Sequence, residues 1–106
     1  QLRDVFYARS GDNGSDANLA IYSQTEAGFA FLLNQLTVER LKELMPEAAA
    51  CEIERFVFPK LKALNFVIHN FLDGGVAQSL KADPQAKALG EQLLNQKMPL
   101  PKSLFS

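Results

Sequence analysis

The residues best equipped for chemistry stand together near the start of the chain, in Arg9-Ser10-Gly11-Asp12-Asn13-Gly14-Ser15-Asp16-Ala17-Asn18. Arg9 brings a fixed positive charge on a planar fork of donors, a shape suited to a carboxylate or a phosphate. Gly11 and Gly14 admit positive φ, which a tight polar loop needs. Ser10, Asp12, Asn13, Ser15, Asp16 and Asn18 carry short polar side chains that can bond nearby backbone. A glycine-flanked loop can turn several N–H groups toward one point and form an anion-binding nest. The same composition also describes an ordinary connection between antiparallel strands held by Asx-turns, and the residues alone leave both readings open.

Several named motifs do not fit. No Gly-Lys-Ser/Thr ending follows Gly14, so this is not a P-loop. A strand rather than a helix comes next, which excludes a dinucleotide fingerprint. Asp12, Asn13 and Asp16 are oxygen donors, but an EF-hand needs a late glutamate where Ser23 stands, and no metal site is assigned. Ser10, Ser15 and Ser79 lack a histidine–carboxylate arrangement in sequence. His69, the one residue with an unperturbed pKa near neutrality, lies in an apolar stretch and is expected as a packed or rim histidine. Cys51 reads as a small apolar filler. Asn65 and Asn70 flank that apolar stretch, where each is placed to cap a helix or reach a ligand. Lys60 and Lys62 fall between elements, within reach of a carboxylate ligand. No catalytic residue and no cofactor is assigned.

Length and composition bound the rest. A chain of 106 residues, 47% hydrophobic and 22% charged, fits one globular domain with one modest core. Eleven basic and twelve acidic residues leave a net charge of -1, against a nucleic-acid binder that relies on a basic field. A single cysteine excludes an intramolecular disulfide and suits a reducing, cytoplasmic setting. One histidine and one cysteine cannot make a zinc site of soft ligands. No apolar run approaches the ~20 residues of a membrane span, and no signal segment opens the chain. The start at Gln1 rather than Met is expected of an excised domain or processed fragment.

The elements that must position these residues follow from periodicity. Leu2 to Arg9 and Asn18 to Ser23 read as an antiparallel pair of strands. Thr25 caps a helix through about Gln35, with Phe29, Leu32, Leu33 and Leu36 on its apolar face. Thr37 offers a fresh cap, and Val38, Leu41, Leu44 and Met45 continue the period until Pro46, giving one kinked helix or two short ones. Cys51 to Phe58 alternates as a strand that Pro59 ends. Ala63 to Leu72 satisfies both periods; Leu64, Val67, Ile68, Phe71 and Leu72 favour a helix, which Asp73-Gly74-Gly75 breaks. Val76 to Ala82 is a candidate fourth strand. Asp83-Pro84 starts a helix with Ala86, Leu89, Gly90, Leu93 and Leu94 buried, ending near Lys97. Two prolines keep the tail extended, with Leu104 and Phe105 placed to dock on a neighbour. This is an α+β order, with a domain over residues 1–98 and an extended tail over 99–106. A ferredoxin-like sandwich fits it: a small, mostly antiparallel sheet with helices on one face, the leading hairpin and the extra helix standing as decorations.

Three segments also carry a resemblance. Arg9-Ser10-Gly11-Asp12-x-Gly14-x-x-x-Asn18 resembles the opening motif of the small C-terminal domain of the acyclic terpene utilisation (AtuA-like) protein family. Pro59-x-Leu61-x-Ala63-Leu64-Asn65-Phe66-Val67 is similar to that family's second motif. Gly74-Gly75-Val76, Ser79-Leu80, Asp83, Gln85, Lys87, Leu89 and Gly90 are similar to its third. The three span nearly the whole chain in the family's order. The departures are Asn13 and Ala86, where lysine and glycine are expected in many members; losing the lysine removes a charge from the loop.

The resemblance implies a ferredoxin-like domain that follows a larger N-terminal domain or occurs as a separate small subunit, in proteins of bacterial acyclic terpene breakdown near acyl-CoA steps. The expected role is an accessory or interaction domain that packs on the large domain or on its own copy. The alternative is a catalytic or ligand-binding domain for a carboxylate or acyl-CoA-type molecule. Its candidate residues are Arg9, Ser10, Gly11, Asp12, Asn13, Gly14 and Asn18, with Asn65, Gly74, Gly75 and Ser79 approaching from the other side.

Overall fold

The structure, a computed structural model, describes residues 2–71 and 89–100. Gly74, Gly75, Ser79, the expected strand Val76 to Ala82, the helix start Asp83-Pro84 and the end of the tail lie outside the described residues. Four strands are present: β1 (Phe6–Asn13), β2 (Asp16–Ser23), β3 (Ile53–Phe58) and β4 (Ala63–Ile68). They form one sheet in the order β1-β2-β4-β3, with every neighbouring pair antiparallel. Two helices, α1 (Glu26–Gln35) and α2 (Val38–Leu44), connect β2 to β3, and a third helical segment, α3, covers residues 89–94.

Because β4 is antiparallel to both β2 and β3, those two run parallel, with β4 inserted between them. That is the split β-α-β arrangement of a ferredoxin-like layer. The fold class read from sequence holds, with one correction: the leading hairpin is no decoration. Its first strand, β1, forms a whole edge of the sheet.

The connections follow the local chemistry. Thr25 and Thr37 sit in extended conformation, and their hydroxyls accept from Gly28 N (3.0 Å) and Arg40 N (3.1 Å). Each hydroxyl satisfies an amide that has no partner within its helix. The second cap makes α1 and α2 two helices rather than one kinked rod. Pro46 opens a short 3-10 turn after α2, and Pro59 does the same after β3. The carbonyls left over at the end of α1 are met from the sheet: Arg55 Nη1 donates to Leu36 O at 2.9 Å and Leu33 O at 3.3 Å. A cation there also suits the negative end of the helix dipole.

Two expectations are overturned. Ala63 to Leu72 is not a helix, and Ala63–Ile68 is the second central strand. Leu64, Phe66 and Ile68 are fully buried, while Asn65 and Val67 between them are half-buried, so the operative period is two. The stretch satisfied both templates, and the choice is made by distant partners, since β2 and β3 offer ladder bonds on both sides. Nor is Arg9 to Asn18 a loop. Both strands continue to a two-residue turn at Gly14-Ser15, so Asn13 pairs with Asp16. Gly14 has φ 68° and Ser15 does not share the positive sign, the pattern of a II′ hairpin turn. The strand region expected at Leu2 begins later as well, because Leu2–Asp4 is a 3-10 turn.

The core lies between one face of the sheet and the helices. Leu19, Ile21, Leu64, Phe66 and Ile68 from the strands join Leu32, Leu36, Leu41, Leu89 and Leu93 from the helices in one buried cluster. α1 packs on β2 and β4, and α2 on β3. α3 lies against β1, where Gly90 N donates to Ser10 Oγ at 2.7 Å. Leu2 N is tied to Gln96 O at 3.0 Å, just past the end of α3. Among the described residues no helix is long and apolar enough to cross a membrane.

Candidate functional site

Strand alternation sorts the candidate residues onto two faces. Ser10 points to the helix layer, where it meets Gly90, and Asp12 shares its parity with its side chain exposed. Arg9, Gly11, Asn18 and Asn65 belong to the opposite, open face. The register arranges that face in rows across the four strands. Tyr7, Tyr22, Ala63 and Phe58 form one row, and Arg9, Ala20, Asn65 and Phe56 the next. Gly11, Asn18, Val67 and Glu54 form the third. The last is built on the pairing of Asn13 with Asp16 and the bond from His69 N to Glu52 O at 2.9 Å.

The open face therefore has an aromatic end, a polar middle and an ionisable end. In the middle, Arg9 and Asn65 flank Ala20 at about 10 Å, two strand spacings. Asn18 lies diagonal to both. Arg9 is exposed, and no carboxylate among the described residues pairs with it. The ladder uses the backbone amides of these residues, so an anion here would meet side chains rather than a backbone nest.

The ionisable end was not legible in the sequence. His69 stands just past β4, not on a helix face, with an acidic residue from each flanking strand beside it. Its Nδ1 lies 3.3 Å from Asp16 Oδ2, and its Nε2 lies 3.4 Å from Glu54 Oε1. The second approach is an ion-pair contact without hydrogen-bond alignment; the Nε2 atom is itself buried and has no hydrogen-bond partner, although the His69 side chain is partly exposed. Desolvation pulls the imidazole pKa down, but the contact with Glu54 and the charge and hydrogen bond of Asp16 outweigh it, and the pKa is raised.

Asp16 also accepts from Asn70 N at 2.8 Å, which holds Asn70 at φ 58°, and Ser15 Oγ donates to Asn70 Oδ1 at 3.3 Å. The hairpin turn is thus fastened to the end of β4. Beside it opens a cavity of about 370 Å³ lined by Ala50, Cys51, Glu52, His69 and Asn70. Burial pushes the Cys51 thiol pKa up, against a smaller opposing pull from Lys42. The partners of His69 are fifteen or more residues away in sequence, and the only local signal was a single histidine close to the end of an apolar run.

No curated protein matches this chain, and no solved structure matches it. A family model described as the AtuA ferredoxin-like domain matches residues 1–99. That match covers nearly the whole chain, including all four strands, both connecting helices and the described part of α3. The chain belongs to the AtuA ferredoxin-like domain family.

Proposed function

We propose that this is an accessory domain whose open sheet face packs on the larger domain of an AtuA-like protein associated with terpene or acyl-CoA metabolism. The observation that carries the reading is the set of exposed aromatic rings in the first two rows of that face. Tyr7, Phe56 and Phe58 all point to the face opposite the buried core and are 59%, 42% and 45% exposed. Leu61, just beyond β3, extends the patch. Exposed aromatics gathered on one face are what protein interfaces bury. Phe56→Thr with Phe58→Thr keeps strand propensity while removing both rings. In a pull-down against the larger domain, the wild-type chain should be retained and the double variant should bind at least tenfold more weakly, with unchanged circular dichroism. A wild-type chain indifferent to the larger domain, or a double variant that binds as well, refutes the reading; a chain that instead self-associates through these rings makes its own copy the partner.

The polar middle favours a second reading, in which a carboxylate or acyl-CoA-type ligand lies across Ala20. Arg9 would take the anion, and Asn18 and Asn65 would orient it. Arg9→Ala should weaken binding of such a ligand at least tenfold without changing the melting temperature. Equal binding by the variant would end this reading.

A further inference from the structure

The ionisable end of the sheet is independent of the docking reading and leads elsewhere. We propose that Glu52, Glu54 and His69 bind a divalent transition ion of the zinc class, with Asp16 as the residue that orients the imidazole.

Each ligand offers one atom, and the three atoms lie within 4.8 Å of one another. Ligands bound at about 2.0–2.2 Å on a tetrahedral ion sit about 3.3–3.6 Å apart. The 3.4 Å between His69 Nε2 and Glu54 Oε1 already meets that spacing. Glu52 and Glu54 are exposed, so their side chains are free to turn toward the imidazole. The backbone holds the geometry from both sides: His69 N is bonded to Glu52 O, and Glu54 is opposite Val67 in the ladder.

The nitrogen supplies the second observation. Nε2 is buried, lacks a hydrogen-bond partner, and faces carboxylate oxygens rather than donors. Asp16 at Nδ1 accounts for the orientation. A carboxylate that accepts from Nδ1–H fixes the tautomer with its lone pair on Nε2, the arrangement common behind metal-bound histidines. A lone pair directed at carboxylates is unfavourable unless a proton or a metal ion stands between them, and titration with zinc distinguishes the two. An imidazole among the ligands favours zinc, copper, iron or nickel over calcium and magnesium. Three protein ligands leave a coordination position over, the pattern of an open site rather than a closed structural one, and two of the three, Glu52 and His69, line the cavity beside Cys51 and Asn70.

The test uses the full chain, stripped with chelator and titrated calorimetrically with zinc ion alone. One equivalent should bind. Glu54→Gln and His69→Gln should each weaken binding at least tenfold, while Glu43→Gln, a remote exposed acid, should leave it unchanged. Asp16→Asn should cost roughly 10- to 100-fold, as loss of an outer partner does. The visible spectrum of the cobalt-loaded chain should change in His69→Gln and stay the same in Glu43→Gln. Should His69→Gln fail to fold, Glu54→Gln, near-isosteric and half-exposed, carries the test. Absence of stoichiometric binding, which would make His69 a protonated bridge between two acids, overturns the proposal. Equal affinity and an identical cobalt spectrum in Glu54→Gln overturn it too.

Discussion

Phe66→Ala should destabilise the domain by about 3–5 kcal/mol. Phe66 is fully buried at the middle of β4, with Leu19 opposite it on β2 and Arg55 on β3. Truncation removes the apolar contact of the ring and leaves a cavity that two flanking strands and the helix layer prevent from closing. A domain of this size has a total stability of roughly 5–15 kcal/mol, so the variant loses a large share of it. At roughly 4–8 °C per kcal/mol, the melting temperature should fall by more than 10 °C. Thermal unfolding followed by circular dichroism measures this; a fall under about 5 °C would mean that the sheet is not packed as described.

Gly28→Ala carries the second large effect, and two opposing terms decide its sign. In a helix, alanine is better than glycine by about 1 kcal/mol. Here a Cβ would land on the Ser23 hydroxyl, with Ser23 Cβ and Thr25 Oγ1 both at 3.1 Å. Ser23 is a buried polar residue of the core layer, and its hydroxyl is held twice, accepting from Thr25 N at 3.1 Å and donating to Thr25 O at 2.9 Å. The hydroxyl can move aside only by breaking those bonds and disturbing the cap of α1. Overpacking of this kind costs about 1–3 kcal/mol, which outweighs the gain in propensity. Chemical denaturation should show a net loss for Gly28→Ala, partly recovered when Ser23→Ala is added, so the two changes should be non-additive. Gly11→Ala is the contrast: nothing lies within 4 Å of its added Cβ, and it should be neutral or slightly stabilising.

That contrast shows which parts of the molecule the sequence exposes. Thr25, Thr37, Pro46 and Pro59 act within a few residues of themselves, and the elements they bound are where local chemistry puts them. The α+β class followed from the same punctuation. Ala63 to Ile68 was different, because Leu64, Phe66 and Ile68 alternate on a sheet while Leu64, Val67, Ile68 and Phe71 also fit a helix. Only strands elsewhere in the chain separate the two. The polar stretch Arg9 to Asn18 was recognised by composition, yet its residues divide between the faces: Ser10 reaches α3, whereas Arg9 and Asn18 join Asn65 on the open side. The His69 cluster was missed because it exists only in the register, where Asp16 at the start of β2 and Glu52 and Glu54 at the start of β3 are brought to the end of β4.

The bond from Leu2 N to Gln96 O has a topological consequence. It brings the beginning and the close of the described chain side by side, so the backbone runs as a nearly closed circuit. With β1 beside β2, the strand that ends the usual ferredoxin-like order comes first here. The layer is the same circuit cut at another point, which is why its pattern of elements looked decorated when followed from one end to the other.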